Sequence, residues 1–292
     1  MTIQKILKSS PLPSIEKELL IAHVIHKPRE FVIAHPECKI GVYAYLKIKK
    51  LFRQNIKGIP LAYLTGHKAF YGLDFFVNKH VLIPRPETEL LVELVLKKIK
   101  TLKKSHNKII LADIGTGSGC IPISIAKNIN KSKYSNYIAT DISNKALHVA
   151  KKNAKKHNTD ITFLHGNLFE PLSKKSEIIH YTSEIILTAN LPYITEKQFQ
   201  DEPSIQHEPK QALVAQDHGL ALYKELLEQL HIFLKNNKSN ITLYFEIDPT
   251  QTDTLSSHIK KVFPNTKIKT YKDLCGRDRT IEIIIINSKQ NK

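Results

Sequence analysis

Two short motifs hold residue types suited to chemistry. Gly115-Thr116-Gly117-Ser118-Gly119 follows an apolar run that ends near Asp113, and a helical pattern comes after it. A strand, a glycine turn and a helix N-terminus bring several backbone N–H groups around one ligand. Glycine is needed where a side chain would block that approach or where the backbone must reach positive φ. Asp141 closes the next apolar run, where a carboxylate can accept both hydroxyls of a ribose. The set reads as a cradle for an adenosyl cofactor, although a glycine triplet alone is equally compatible with a tight structural turn. The spacing is not the Gly-x-Gly-x-x-Gly of dinucleotide sites.

The second motif, Asn190-Leu191-Pro192-Tyr193, suits transfer of a methyl group to a planar nitrogen. Such a nitrogen is a poor nucleophile because its lone pair is delocalised into the neighbouring π-system. A clamp that accepts both N–H hydrogens favours a less planar nitrogen, with its lone pair aimed at the donor. The side-chain oxygen of Asn190 supplies one acceptor and the carbonyl of Leu191 a second. Pro192 stiffens the loop and Tyr193 can stack on the flat group. The protein's task is then alignment of donor and acceptor. Asn before Pro is also common in plain turns. The chemical reading gains because both motifs end strands on one edge of an apparent parallel sheet, where such folds bind ligands.

The elements that position them are legible as periodicity. Buried-strand runs at 109–112, 137–140, 161–164, 185–189 and 241–245 alternate with helical patterns at 121–129, 144–157, 220–230 and 254–262, as in a parallel sheet covered on both faces. Runs at 267–271 and 280–286, joined by Gly276-Arg277-Asp278, predict an antiparallel final strand. Upstream, residues 15–56 are helical. Aromatic-rich 69–77 and then 80–83 read as the two strands of a bridging hairpin. A helix is expected from Glu87-Thr88-Glu89 to about Lys100, followed by a polar loop at 103–108. The expected domains are an N-terminal helical one at 1–68, a hairpin linker at 69–84 and a catalytic one at 85–292.

Composition narrows the setting less. The 292 residues carry 44 Lys and Arg against 27 Asp and Glu, a net charge of +17, which favours an anionic partner. The lysines are scattered through an Ile- and Asn-rich chain, so charge alone names no partner. Cys38, Cys120 and Cys275 form neither a disulfide framework nor a metal spacing, and no His pair has ligand spacing. We expect a soluble cytoplasmic monomer with no metal, no membrane span and no secretion signal.

Several longer motifs then agree. Gly58-Ile59-Pro60-Leu61-Ala62-Tyr63-Leu64-Thr65-Gly66, Phe70-Tyr71-Gly72-Leu73 and Leu82-Ile83-Pro84-Arg85-Pro86-Glu87-Thr88-Glu89 precede the glycine loop. Asn190 to Tyr193, Glu208-Pro209 with Ala212-Leu213, and the 273–279 segment follow it. In this order, over nearly the whole chain, they resemble the release factor glutamine methyltransferases, the PrmC/HemK family. The resemblance implies an α/β fold of the class I S-adenosylmethionine-dependent type, with a Rossmann-like seven-stranded mixed sheet. It implies S-adenosyl-L-methionine as donor and the Gly-Gly-Gln glutamine of peptide chain release factors as acceptor. The helical N-terminal domain would help dock that substrate. It places Gly115, Thr116, Gly117, Ser118, Gly119, Asp141, Asn167, Leu168 and Asn190 around the cofactor, with Asn190, Leu191, Pro192 and Tyr193 on the glutamine. Arg85 and Glu87 would lie near the cleft, in a catalytic or a hinge role.

Leu191 stands where the family usually has Pro, and Asn167 and Leu168 where it often has Asp and Trp; Asp217-His218-Gly219 interrupts its Asp-Gly pair. Leu191 is familiar among RNA adenine methyltransferases, so a nucleic-acid adenine N6-methyltransferase is the alternative, with direct nucleic-acid binding compatible with either reading. A non-catalytic binding module of the same fold is a third.

Overall fold

The computed structural model describes residues 1–102, 109–129, 135–175, 184–237 and 239–286. The N-terminal part is five helices, α1 (Ile3–Lys8), α2 (Ser14–Ile25), α3 (Arg29–Ala34), α4 (Val42–Ile56) and α5 (Leu61–Thr65). Helical spacing places Leu20, Ile21 and Val24 of α2 against Ile48, Leu51 and Phe52 of α4, with Ile3, Ile6 and Val32 closing a core of their own.

The hairpin differs from the sequence reading. Both strands lie before residue 77, as β1 (His67–Phe70) and β2 (Leu73–Phe76), paired from His67 with Phe76 to Phe70 with Leu73. Tyr71 and Gly72 turn the chain at φ 49° and 71°, a two-residue loop whose double positive φ matches strand twist. Residues 80–83 form no strand; they run as a loop that buries Val81 and Ile83. The apolar stretch 69–77 hid the turn because a tyrosine occupies a position where Asn or Gly is usual.

Helix α6 (Glu89–Leu102) then leads into the sheet, preceded by a short 3-10 turn at Pro86–Thr88. The Glu89 carboxylate accepts the Tyr71 backbone N–H at 2.8 Å, tying the hairpin turn to the helix start. The expected loop at 103–108 lies outside the described residues. The sheet comprises β3 (Ile109–Ile114), β4 (Ser135–Asp141), β5 (Thr162–His165), β6 (Glu184–Ala189), β7 (Asn240–Glu246), β8 (Lys267–Lys272) and β9 (Asp278–Ile285). Their spatial order is β5-β4-β3-β6-β7-β9-β8, and β9 alone is antiparallel to its neighbours β7 and β8.

Helices α7 (Cys120–Asn128) and α8 (Asn144–Lys156) cross over between the first parallel strands. One face packs on α6, α7 and the hairpin, and the other on the Ala221–Asn236 and Thr252–Val262 helices. Residues of both faces are withdrawn from water, which explains why β3 and β6 read as continuous apolar runs. This is the expected α/β architecture with its seven-stranded mixed sheet. Among the described residues, no helix is long and apolar enough to cross a membrane.

The N-terminal part joins the sheet through a small cluster. Val77, Val81, Ala146 and Val149 are buried together, with Ala62, Tyr63 and Phe76 packed against them. The Tyr63 hydroxyl donates to the Val81 carbonyl at 2.6 Å. Glu208, almost wholly buried, accepts the Ile83 N–H at 2.9 Å and pairs with Arg85.

Candidate active site

Strands β3, β4 and β6 run side by side and end level, with Ile114 in register with Ala189 and Thr140. The glycine loop leaves β3, Asp141 closes β4, and Asn190 follows β6, so parallel pairing alone delivers them to one sheet edge. There they surround a cavity of about 500 Å³, within the range of small-molecule sites.

The glycine loop is held from below. The N–H groups of Gly115 and Thr116 both reach the Thr140 carbonyl at 2.9 Å. Buried Asn153 donates to the carbonyls of Ser118 and Phe76, 2.9 Å each, and accepts the Phe76 N–H, so one amide fixes cradle and hairpin together. Gly117 and Gly119 lie at positive φ, 55° and 78°. A Cβ on Gly119 would come within 3.0 Å of Ile123 and 3.2 Å of Ala150, whereas one on Gly117 would meet nothing within 4 Å. The bare Cα of Gly117 thus leaves room for a ligand, while Gly119 serves helix packing.

Asp141 lines the cavity and is nearly buried. One carboxylate oxygen accepts the Gly117 N–H at 2.9 Å, the other the Ser143 N–H at 2.8 Å. Burial raises its pKa, with these two hydrogen bonds opposing the rise. Each oxygen retains a lone pair, so the carboxylate both shapes the loop and can still receive a hydroxyl. Ile142, Leu168, Ala221 and Leu222 give this end of the cavity apolar walls; Asn167 and Glu225, hydrogen-bonded to each other, give it a polar edge. Leu168 is 7% exposed at φ 48°, and it both lines the cavity and joins the core below. An adenosyl group fits this chemistry: a carboxylate for hydroxyls, apolar faces for a ring, and open space over Gly117.

Asp113 sits one layer deeper and does not line the cavity. It accepts the Thr188 hydroxyl at 2.6 Å, its other oxygen has no partner, and the nearby Thr116 hydroxyl is likewise unpaired. Burial pushes its pKa up to about 7, against the hydrogen bond from Thr188.

The other motif departs in part from the sequence reading. Asn190 donates its Nδ2 to the Thr88 hydroxyl at 3.1 Å, which turns its Oδ1 the other way. Asn190, Leu191 and Pro192 line the cavity; Tyr193 does not. Its ring packs on the core and its hydroxyl donates to Glu246 at 3.3 Å, with burial raising its pKa. Four residues support the loop; Tyr223, Gln251 and Glu246 carry no motif of their own, and Thr88 lies in the 82–89 motif without a role assigned from sequence. Tyr223 accepts the Leu191 N–H at 3.1 Å and donates to the Glu246 carbonyl. Gln251 donates to the carbonyls of Tyr193 and His218, 2.9 Å each. Thr88 holds Asn190, and Glu246 holds Tyr193. Tyr223 reads as one more apolar residue of a helical stripe; Glu246, at the end of β7 on the same edge, was the position a strand-end rule could have found. Arg85 lines the cavity, and Glu87 does not.

This fold and this site define a class I methyltransferase. Residues 88–181 match the methyltransferase small domain, and residues 2–66 match the PrmC N-terminal domain. The chain is 33% identical over 267 residues to the release factor glutamine methyltransferase of Bacillus anthracis, covering 90% of each chain. It is 38% identical to that of Enterococcus faecalis, covering 80% of this chain and 78% of the relative. The chain belongs to the family of release factor glutamine methyltransferases. Among solved structures it resembles the hMettl16 catalytic domain in complex with MAT2A 3'UTR hairpin 1, with a TM-score of 0.57 at 13% identity and 91% of each chain covered, a likeness of fold alone.

Proposed function

We propose that the protein transfers a methyl group from S-adenosylmethionine to the side-chain amide nitrogen of the glutamine in the Gly-Gly-Gln motif of peptide chain release factors. The observation that carries this reading is the single cavity shared by the glycine cradle of β3 and the Asn190 loop of β6. Family membership supports the choice of a release factor over a nucleic acid.

When bound, S-adenosylmethionine supplies an electrophilic methyl group on a positively charged sulfur. The rest falls to the chain. Asp141 would hold the hydroxyls of the cofactor beside the open space over Gly117, and Leu168 and Leu222 would give its ring apolar walls. Asn190 Oδ1 and the Leu191 carbonyl accept the two N–H hydrogens of the substrate amide, loosening its conjugation and orienting its lone pair. Pro192 holds the loop, and Tyr193 braces it from beneath through Glu246. Val81, Leu82, Pro84 and Val214 exclude water around the reacting nitrogen.

The test is Asn190→Ala. Transfer to a release factor should fall by at least about a hundredfold, since an amide held by one acceptor loses its alignment, while the unfolding midpoint stays near wild type. Undiminished transfer would remove Asn190 from the clamp.

A further inference from the structure

A carboxamide can face either way, and only one face of Asn190 is useful to the proposed clamp. Its oxygen must point at the substrate, because an –NH2 cannot accept an N–H. The side chain is half-buried and its Nδ2 meets the Thr88 hydroxyl at 3.1 Å, across the gap between β6 and the turn that opens α6. A hydroxyl has one hydrogen and two lone pairs, so its own donation decides what it offers Asn190. Thr88 is 3% exposed, beyond the reach of bulk water. Beside it lies the Glu246 carboxyl, whose Oε2 is buried with no hydrogen-bond partner and whose charged form Thr88 favours, so a turn of the Thr88 hydroxyl toward that oxygen would satisfy both groups. With that hydrogen engaged, Thr88 offers Asn190 lone pairs only, and the amide must answer with Nδ2.

We propose that Thr88 and Glu246 are positioning residues that set the flip of the Asn190 amide, so that Oδ1 faces the substrate nitrogen. This rests on the clamp reading above. The groups facing the Glu246 carboxyl are Thr88 and Glu87 from the turn, Tyr193 from the β6 loop and Arg279 from β9. Burial raises the Glu246 pKa and Glu87 adds to the rise, while Thr88, Arg279 and Tyr193 oppose it. The same Glu246 receives the Tyr193 hydroxyl through its side chain and the Tyr223 hydroxyl through its carbonyl. One strand-end residue therefore braces three of the four loop positions, Asn190 through Thr88, Leu191 through Tyr223, and Tyr193 directly.

The test compares wild type, Thr88→Val and Thr88→Ser. Valine keeps the shape and removes both the donor and the acceptor; serine keeps both. In 15N-labelled protein the Asn190 side-chain NH2, assigned by its loss in Asn190→Ala, should be protected from hydrogen exchange in wild type and Thr88→Ser. Protection should drop about tenfold in Thr88→Val, the weight of one buried hydrogen bond. With a release factor as substrate, Thr88→Val should lower kcat about tenfold and leave KM and the S-adenosylhomocysteine Kd within about twofold. Equal protection in all three proteins, or a serine variant as impaired as valine, would overturn the proposal. If wild type methylates no release factor, the functional reading fails, and the exchange experiment still decides the flip.

Discussion

Tyr223 is where the physical argument can be pressed hardest, because its fully buried hydroxyl ties the backbone of the Asn190 loop to that of β7. In Tyr223→Phe the ring keeps its place beside Phe245, 5.0 Å between centroids, so the change isolates the hydroxyl. Two groups lose their partner together, the Leu191 N–H and the Glu246 carbonyl. The residue is fully buried, and the space left by one oxygen is too small to admit water. An unsatisfied buried group costs about 1–3 kcal/mol. Partial relaxation of the loop should leave a net loss of about 2–4 kcal/mol. Urea unfolding followed by circular dichroism measures it directly. Leu191 also lies over Gly115, so a loosened loop should loosen the cradle and lower turnover about tenfold or more. A destabilisation below about 0.5 kcal/mol would refute the reasoning, since it would mean that the hydroxyl holds nothing that water or the chain cannot replace.

Other consequences are equally specific. Asp141→Asn should raise the Kd for S-adenosylhomocysteine about tenfold by calorimetry, because an amide cannot accept both the Gly117 and Ser143 N–H groups as well as a ligand hydroxyl. Asp113 is favoured as the neutral acid in the folded chain, so it contributes stability at acidic pH that is lost as pH rises from 3.8 through about 7; at ~1.4 kcal/mol per pH unit that is ~4 kcal/mol. In Asp113→Asn that slope should vanish from urea midpoints taken between pH 4 and 8, and a slope equal to wild type would contradict the assignment. Gly219→Ala should cost at least ~2 kcal/mol and disable transfer, because its Cβ would fall 1.9 Å from the Tyr193 carbonyl oxygen at φ 83°; a variant of full stability would show that the loop can shift freely.

What the sequence disclosed follows from what periodicity and turn chemistry encode. Strands β3 and β6 were legible because burial on both faces demands unbroken apolar runs, and the glycine loop because only glycine tolerates its backbone. The final antiparallel strand was legible from a short turn that leaves no length for a crossover. The hairpin was displaced because Tyr71 takes a left-handed turn position that its residue type does not announce. Tyr193 was expected against the substrate and instead points at Glu246, a direction set by a strand distant in sequence. The role of Thr88, named only within a motif, and the parts played by Tyr223 and Gln251 escaped notice for the same reason. A helix-start threonine, a tyrosine in an apolar stripe and a glutamine just before the Thr252–Val262 helix look like ordinary scaffold until the fold brings them to one loop.

The most direct test of the central claim incubates the purified protein with methyl-labelled S-adenosylmethionine and a release factor, beside a copy of that factor whose Gly-Gly-Gln glutamine is Ala, and beside ribosomal RNA. The account predicts label on the intact factor and on neither of the others. Label on the RNA alone would contradict it and move the assignment to adenine, and label on the Ala copy would show that another residue is the acceptor.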